Sequence, residues 1–540
     1  MRFSRSIQFL LLISAVAWGQ GGRGRGTQAT GQQPAPAAQT QQQPAPADQP
    51  GRGGRGTNDF YNYDTSANVA FMAPAELTPA EIKQKATING ESIAYAGHAG
   101  YVALRNATSG LNEAYVFYTS YGRDGVTDMS SRPIIFFLAG GPGVSSAWQE
   151  FGGLGPKRMK ADGSGWAENP ASMLPSADLV FVNPVGTAFS RADFPNHATN
   201  YWNTPGDTAS LGEFVRTFIT KHGRRTSPLF LAGEDLSTGR AANLAAYLIE
   251  HEIPVHGVIL FSMTMSADSG AGDTQYLTLL PSLTMSAWVH KKLSPDLQAM
   301  SAEQISQQAR QFASREYLRA LYKGDRLTPE ERTKVIANLA RLTGLSKSFI
   351  VANNLRVSLD RFNQELMRDQ HRELSASDAR VAGFQPPSAG GGRGGGGGGR
   401  GGFGGPPAID FNMADLSGKF LASYESYLRN ELTFKGQPDG IYYLNSGGVG
   451  AFTSTGADDA SLSAAFARQP SMRLFVAVNL FDLSAPFYAT EFTLAHLSVS
   501  PEVRGKNITV SHYEAGRMTY LDSKESVKLQ RDLANFISAK

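Results

Sequence analysis

The chain has 540 residues, 41% of them hydrophobic and 18% charged, with a formal net charge of +3. That is long enough for one large elaborated domain or two, and the charge is too near balance to point to a polyanionic partner. It contains no cysteine, which excludes disulfides, thiolate metal sites and a lipid-anchored N-terminal cysteine.

Residues 1–19, "MRFSRSIQFLLLISAVAWG", have the three parts of a signal peptide. Arg2 and Arg5 give a charged start, Phe9 to Trp18 an apolar run, and Ala15, Ala17 and Gly19 small residues for cleavage. The run is well short of the ~20 apolar residues that a membrane span needs. Export to the periplasm or the exterior is therefore expected, with no span in the mature protein. Residues 20–66 form a Gly, Gln and Pro-rich leader with little to bury. It cannot offset the entropy cost of ordering and is expected to be disordered.

From 67 to 263 the pattern becomes strand, loop, helix. "ESIAYAGHAGYVALRN" and "EAYVFYTSYG" read as antiparallel strands. Short apolar runs of the buried-strand kind follow: "PIIFFLAGG", "DLVFVNPVG", "PLFLAG" and "GVILFSM". The stretch 207–222 puts Leu211, Phe214, Val215, Phe218 and Ile219 on one helical face, with Asp207 as N-cap and Gly223 as terminator. Residues 264–440 are largely helical in pattern and contain a Gly/Arg-rich loop at 385–408. With few arginines, that loop is not expected to bind nucleic acid. The alternation resumes over 441–540 with "RLFVAVNLFD", "NITVSHYEAG" and a last helix opened by Asp522 and Glu525. The order implies an α/β fold: a mostly parallel sheet covered on both faces, carrying an inserted helical cap that walls a site above the strand ends.

"PLFLAGEDLSTGRAANLAAYLIE" (228–250) is a strand, a tight turn and a helix of small and apolar residues. Hydrolases place a nucleophile on such a turn. Here the tip is Asp235.

Five segments, in order, resemble the serine carboxypeptidase family, a group of secreted α/β-hydrolase peptidases, and most of all its bacterial members. "FFLAGGPGVSSAW" (136–148) is similar to the family's "NGGPG(C/S)SS", and "DLVFVNPVGTAFSRA" (178–192) to its "DQPVGTGFS". "LFLAGEDLSTGRAA" (229–242) stands where the family has "GESY(A/G)G". "NLFDLSAPFYATEFTLAHL" (479–497) resembles the stretch with the catalytic aspartate, and "YEAGRMTYL" (513–521) stands where the catalytic histidine lies. The resemblance implies an α/β-hydrolase fold and carboxypeptidase ancestry. It makes Asp482 the triad acid, Gly141 and the backbone of Leu236 the oxyanion donors, and Glu234 a substrate-binding acid.

The departures from that pattern fall on the chemistry. Asp235 occupies the nucleophile position, Arg517 the histidine position, and Ala139 the position of an asparagine that helps hold the substrate carboxylate. Arginine cannot act as a general base near neutral pH, since its pKa exceeds ~12. A carboxylate at 235 is a weak nucleophile towards amides and sets negative charge beside the developing oxyanion. Arg517 is expected to lie between Asp235 and Asp482 and to hydrogen-bond both. The favoured reading is a homologue without peptidase activity that binds a peptide or small-molecule ligand.

An active hydrolase is the alternative, with Asp235 or Ser237 as nucleophile. Ser237 is otherwise a helix-start residue, and His512, five residues before Arg517, a strand histidine rather than a substitute base. No cofactor is expected. The nine histidines show no HxH or HExxH spacing, so no metal is either. Asp458 and Asp459 read as loop residues.

Overall fold

The computed structural model describes residues 78–539 apart from 107, 139, 142, 194, 266–271, 385–410, 437–441, 446–451 and 457. The signal-like stretch, the leader, the Gly/Arg-rich loop and Ala139 lie outside the described residues. No helix among the described residues is long and apolar enough to cross a membrane.

The main sheet is built from β1 (Ala80–Ile88), β2 (Glu91–Arg105), β3 (Asn112–Arg123), β4 (Ile134–Leu138), β5 (Asp178–Val182), β6 (Leu229–Glu234), β7 (Gly257–Phe261), β8 (Arg473–Asn479) and β9 (Ile508–Tyr513). Their spatial order is β1-β2-β3-β5-β4-β6-β7-β8-β9, with a two-residue strand at Arg191–Ala192 beside β3. β1, β2 and β3 pair antiparallel, and β3 meets β5 antiparallel. From β5 to β9 every pairing is parallel. β1 was not anticipated, because its Lys, Gln and Glu residues dilute the apolar signal of "AEIKQKATI".

Side chains alternate between two buried layers, as a strand period of two requires. Phe136, Val180, Leu231, Leu260 and Val476 face one layer with α1 (Thr204–Lys221) and α2 (Ser237–Glu250). Phe137, Phe181, Phe230, Phe261 and Phe475 face the other with α3 (Ser523–Ser538). Burial on both faces is why these strands read as unbroken apolar runs.

Asn203, not Asp207, caps α1: its Oδ1 accepts the Gly206 N–H at 2.9 Å. Asp207 lies inside the first turn, where Arg240 engages its carboxylate. Asp458 is not a loop residue either, since it begins the helix Asp458–Arg468.

The insertion expected over 264–440 does not form one layer. Its helices from Thr274 to Glu365 join the layer of α1 and α2. The helix Phe411–Asn430 packs in the opposite layer, where Phe420 stacks on Trp148 with ring centroids 4.1 Å apart.

Candidate functional site

β6 ends at Glu234 and α2 begins at Ser237, so Asp235 sits on the tight turn between them with φ +52°. A non-glycine residue there is strained and persists only where neighbours hold it. Phe261 O accepts the Asp235 N–H at 3.0 Å, and Asp235 O accepts both the N–H and the hydroxyl of Thr238. The turn is tight enough that a Cβ on Gly233 would fall 2.1 Å from Ser237 O.

Asp482 follows β8, and Arg517 follows β9 after the turn at Glu514–Gly516. Arg517 Nη1 donates to Asp235 Oδ2 at 3.0 Å. The expected second hydrogen bond, to Asp482, is absent: Nε is 4.0 Å from Asp482 Oδ2. Ser484 intervenes instead. Arg517 Nη2 donates to Ser484 Oγ, which lies 2.7 Å from Asp482 Oδ1. Asp482 Oδ1 also accepts the backbone N–H groups of Ser484 and Ala485. The side chains of Arg517 and Asp235 retain 26% and 20% exposure, while that of Asp482 has none.

Burial pushes the Asp235 carboxyl above its ordinary range. The Arg517 guanidinium opposes that shift, the Asp482 charge adds to it, and the Leu236 N–H opposes it by hydrogen-bonding the charged form. Leu236 and Gly141 are neighbours: Gly141 has φ +147°, and a Cβ there would lie 3.3 Å from Leu236 Cβ. The Leu236 N–H thus acts on the carboxylate of its own turn. Glu234 is 2% exposed and burial raises it to about 8. Tyr520 OH donates to its Oε2 at 2.7 Å, and its Oε1 has no partner among the described residues.

Ser237 is fully buried, and its oxygen accepts from Arg240 Nη1 at 2.6 Å. Arg240 in turn grips Asp207 through Nε and Nη2. The guanidinium that holds this hydroxyl cannot itself take its proton. The His512 ring pairs with Glu491 at 2.7 Å, and Glu491 with Arg310, so that histidine is not brought to Asp235. No group of three or more potential metal ligands occurs among the described residues.

Several residues that shape the site were not singled out from sequence. Ser377 O accepts the Arg517 N–H at 2.7 Å, and Ala376 O accepts the N–H groups of Leu483 and Ser484. The segment 375–381 therefore binds both site loops, and Arg380 fastens it to Glu514 O and Asp522. Ser262 and Asn479 hold Arg517 O at 2.9 and 3.0 Å. Most of these contacts are made by backbone carbonyls, which leave no mark on residue type.

The sheet topology and the turn at 235 are those of an α/β-hydrolase, and a family model described as serine carboxypeptidase matches residues 87–323. Over that stretch the chain resembles the serine carboxypeptidase family. Among the family's curated members, serine carboxypeptidase-like 29 of Arabidopsis thaliana is 32% identical over 34% of this chain and 39% of its own length. Serine carboxypeptidase-like 50 of the same plant is 28% identical over 52% of this chain and 60% of its own. The chain thus spans between 39% and 60% of these two relatives. Kex1(delta)p, a prohormone-processing carboxypeptidase from Saccharomyces cerevisiae, shares the fold with a TM-score of 0.53 at 15% identity, over 82% of this chain and 91% of its own.

Proposed function

We propose that the protein is an exported serine carboxypeptidase homologue that has lost peptidase chemistry and binds a peptide or small ligand in the cleft at the strand ends. One observation carries this reading: the 3.0 Å ion pair of Arg517 with Asp235 stands where the family has a base and a nucleophile. A permanently protonated guanidinium can neither take a proton from a nucleophile nor return it to a leaving amine. Its neighbour Asp235 is held by that charge instead of being freed to attack. The buried, Arg240-bound hydroxyl of Ser237 supports the same conclusion for the alternative nucleophile.

Binding is supported by what is kept. The turn at 235, the approach of Gly141 to Leu236, the buried Asp482 and the buried Glu234 all persist without a chemical step to serve. Relatives named carboxypeptidases act at peptide ends, which makes a peptide the first ligand to try. Export is supported by the charged start and short apolar run of residues 1–19. Titrating the purified mature protein with fluorescently tagged blocked dipeptides tests the reading. Saturable binding without cleavage of the peptide is expected, and absence of binding by every peptide would overturn it.

A further inference from the structure

β9 stands at one end of the sheet order, and no strand among the described residues pairs with its outer side. Backbone groups alternate sides along a strand. Tyr513 O faces β8, where it accepts the Leu480 N–H at 3.0 Å, so Val510 and His512 turn their N–H and C=O groups outward. Of these outward groups, only His512 O has a partner among the described residues. Lys528 Nζ donates to it, in the place where the N–H of a neighbouring strand would stand.

The edge is flanked by helices on both faces. A cavity of about 740 Å³ lies beside His512 and Glu514, with the helix Ala302–Phe312 as one wall and Lys524, Glu525 and Lys528 of α3 as the other. That is the size of a site that encloses a small ligand or a short piece of chain. A second cavity, of about 330 Å³, lies along Thr509 and Ser511 beside Asp532 and Phe536 of α3. Glu525, Lys528, Asp532 and Phe536 are three or four residues apart, so one face of α3 follows the edge for about 16 Å. The six residues of β9 span about 20 Å. Walls on both faces keep the sheet edge of a second copy from closing to the ~4.8 Å strand spacing, whereas a single extended chain enters.

The walls are polar and differ in charge. Gln304 and Gln307 project from the first helix, and its Arg310 is neutralised by two hydrogen bonds to Glu491 at 2.9 and 2.6 Å. On the α3 wall, Lys524 and Lys528 outnumber Glu525. We propose that the outer edge of β9 takes up an extended peptide segment as an added strand, with acidic side chains on the face towards α3. This site is separate from the cleft at Asp235 and does not rest on the reading above. An N–H of the segment replaces Lys528 on His512 O, and its carbonyls accept the outward N–H groups of Val510 and His512. Its carboxylates pair with Lys524 and the released Lys528.

The probe is the tagged peptide Thr-Glu-Thr-Glu-Thr-Glu-Thr, in which the strand period of two sets every glutamate on one face. It is compared by fluorescence anisotropy with the same peptide N-methylated at its central residues, which keeps the side chains and loses the backbone donors. The unmodified peptide is expected to bind the mature protein at least about tenfold more tightly than the methylated one. Val510→Pro and Gln307→Trp should each weaken it by a similar factor. Proline is tolerated on an edge strand where the N–H faces away from the sheet, as at Val510. Gln307→Trp fills the slot from the opposite wall and keeps the test open should Val510→Pro fail to fold. Equal binding of the two peptides, binding unchanged in a folded Val510→Pro protein, or no binding up to millimolar peptide overturns the added strand. A concentration-dependent dimer abolished by Val510→Pro would give the edge to a second copy and overturn the peptide.

Discussion

The two ends of the parallel sheet each carry an arginine–carboxylate cluster, and they are built differently. At the N-terminal ends, Asp178 is 8% exposed and both its oxygens are taken, by Arg132 Nε at 2.9 Å and by Arg224 Nη1. The Arg123 N–H adds a third bond. At the C-terminal ends, Arg517 donates to Asp235 and Ser484, stops 4.0 Å short of Asp482, and leaves Asp482 Oδ2 without a hydrogen bond among the described residues. The first cluster is saturated and closed. The second is partly open, strained at Asp235 and short of donors. Saturation serves stability, and unspent hydrogen-bonding capacity next to an opening serves a ligand.

Removing one partner from the saturated cluster has the largest expected effect on stability. Asp178→Ala strands two buried guanidinium groups and is expected to cost about 3–5 kcal/mol by denaturant unfolding. A loss similar to that of a surface mutation would erase the contrast between the two ends.

Two buried glutamates, of which Glu234 is at the open end, set the pH dependence. Burial raises Glu234 to about 8 and Glu150, enclosed by Thr119, Tyr121 and Tyr424, to about 7. Both are raised in the folded state, so the native protein holds more protons than the unfolded chain between their ordinary range and those values. Stability is therefore fully present below about pH 4.5 for these two groups and falls as pH rises towards about 7 and 8. The slope is at most about 1.4 kcal/mol per pH unit for each group. Glu234→Gln should flatten the decline above pH 7, measured by urea midpoints across pH. An unchanged profile would mean that Glu234 is not held protonated.

Arg517→Met should cost only about 1 kcal/mol, because the Arg517–Asp235 pair is partly exposed and its partner keeps water. The smallest expected effect is that of Ser484→Ala, about 1 kcal/mol or less, from loss of the hydroxyl that links Arg517 to Asp482. A loss from either variant as large as that from Asp178→Ala would show that the upper cluster is structural after all.

The sheet was legible because strands buried on both faces write continuous apolar runs, as in "PIIFFLAGG" and "RLFVAVNLFD". β1 was not, because one of its faces is open to water and carries Glu81, Lys83, Lys85 and Thr87. The α1 cap was misplaced because Asp207 looks like a cap but is claimed by Arg240, 33 residues away. The positions 235, 482 and 517 could be read from segment order. Their bonding could not, since the Ser484 bridge and the hold of Ser377 O on Arg517 depend on loop paths that residue types do not encode.

The central claim is that Asp235 and Arg517 end hydrolysis on an otherwise intact scaffold. It is tested most directly by turnover of a blocked dipeptide and a small activated ester, from acidic to neutral pH, by the wild type beside Asp235→Ser/Arg517→His. A silent wild type and a double variant at least about a hundredfold more active are expected, given what triad members contribute elsewhere. Clear turnover by the wild type, abolished by replacing Asp235 or Ser237, would contradict the account.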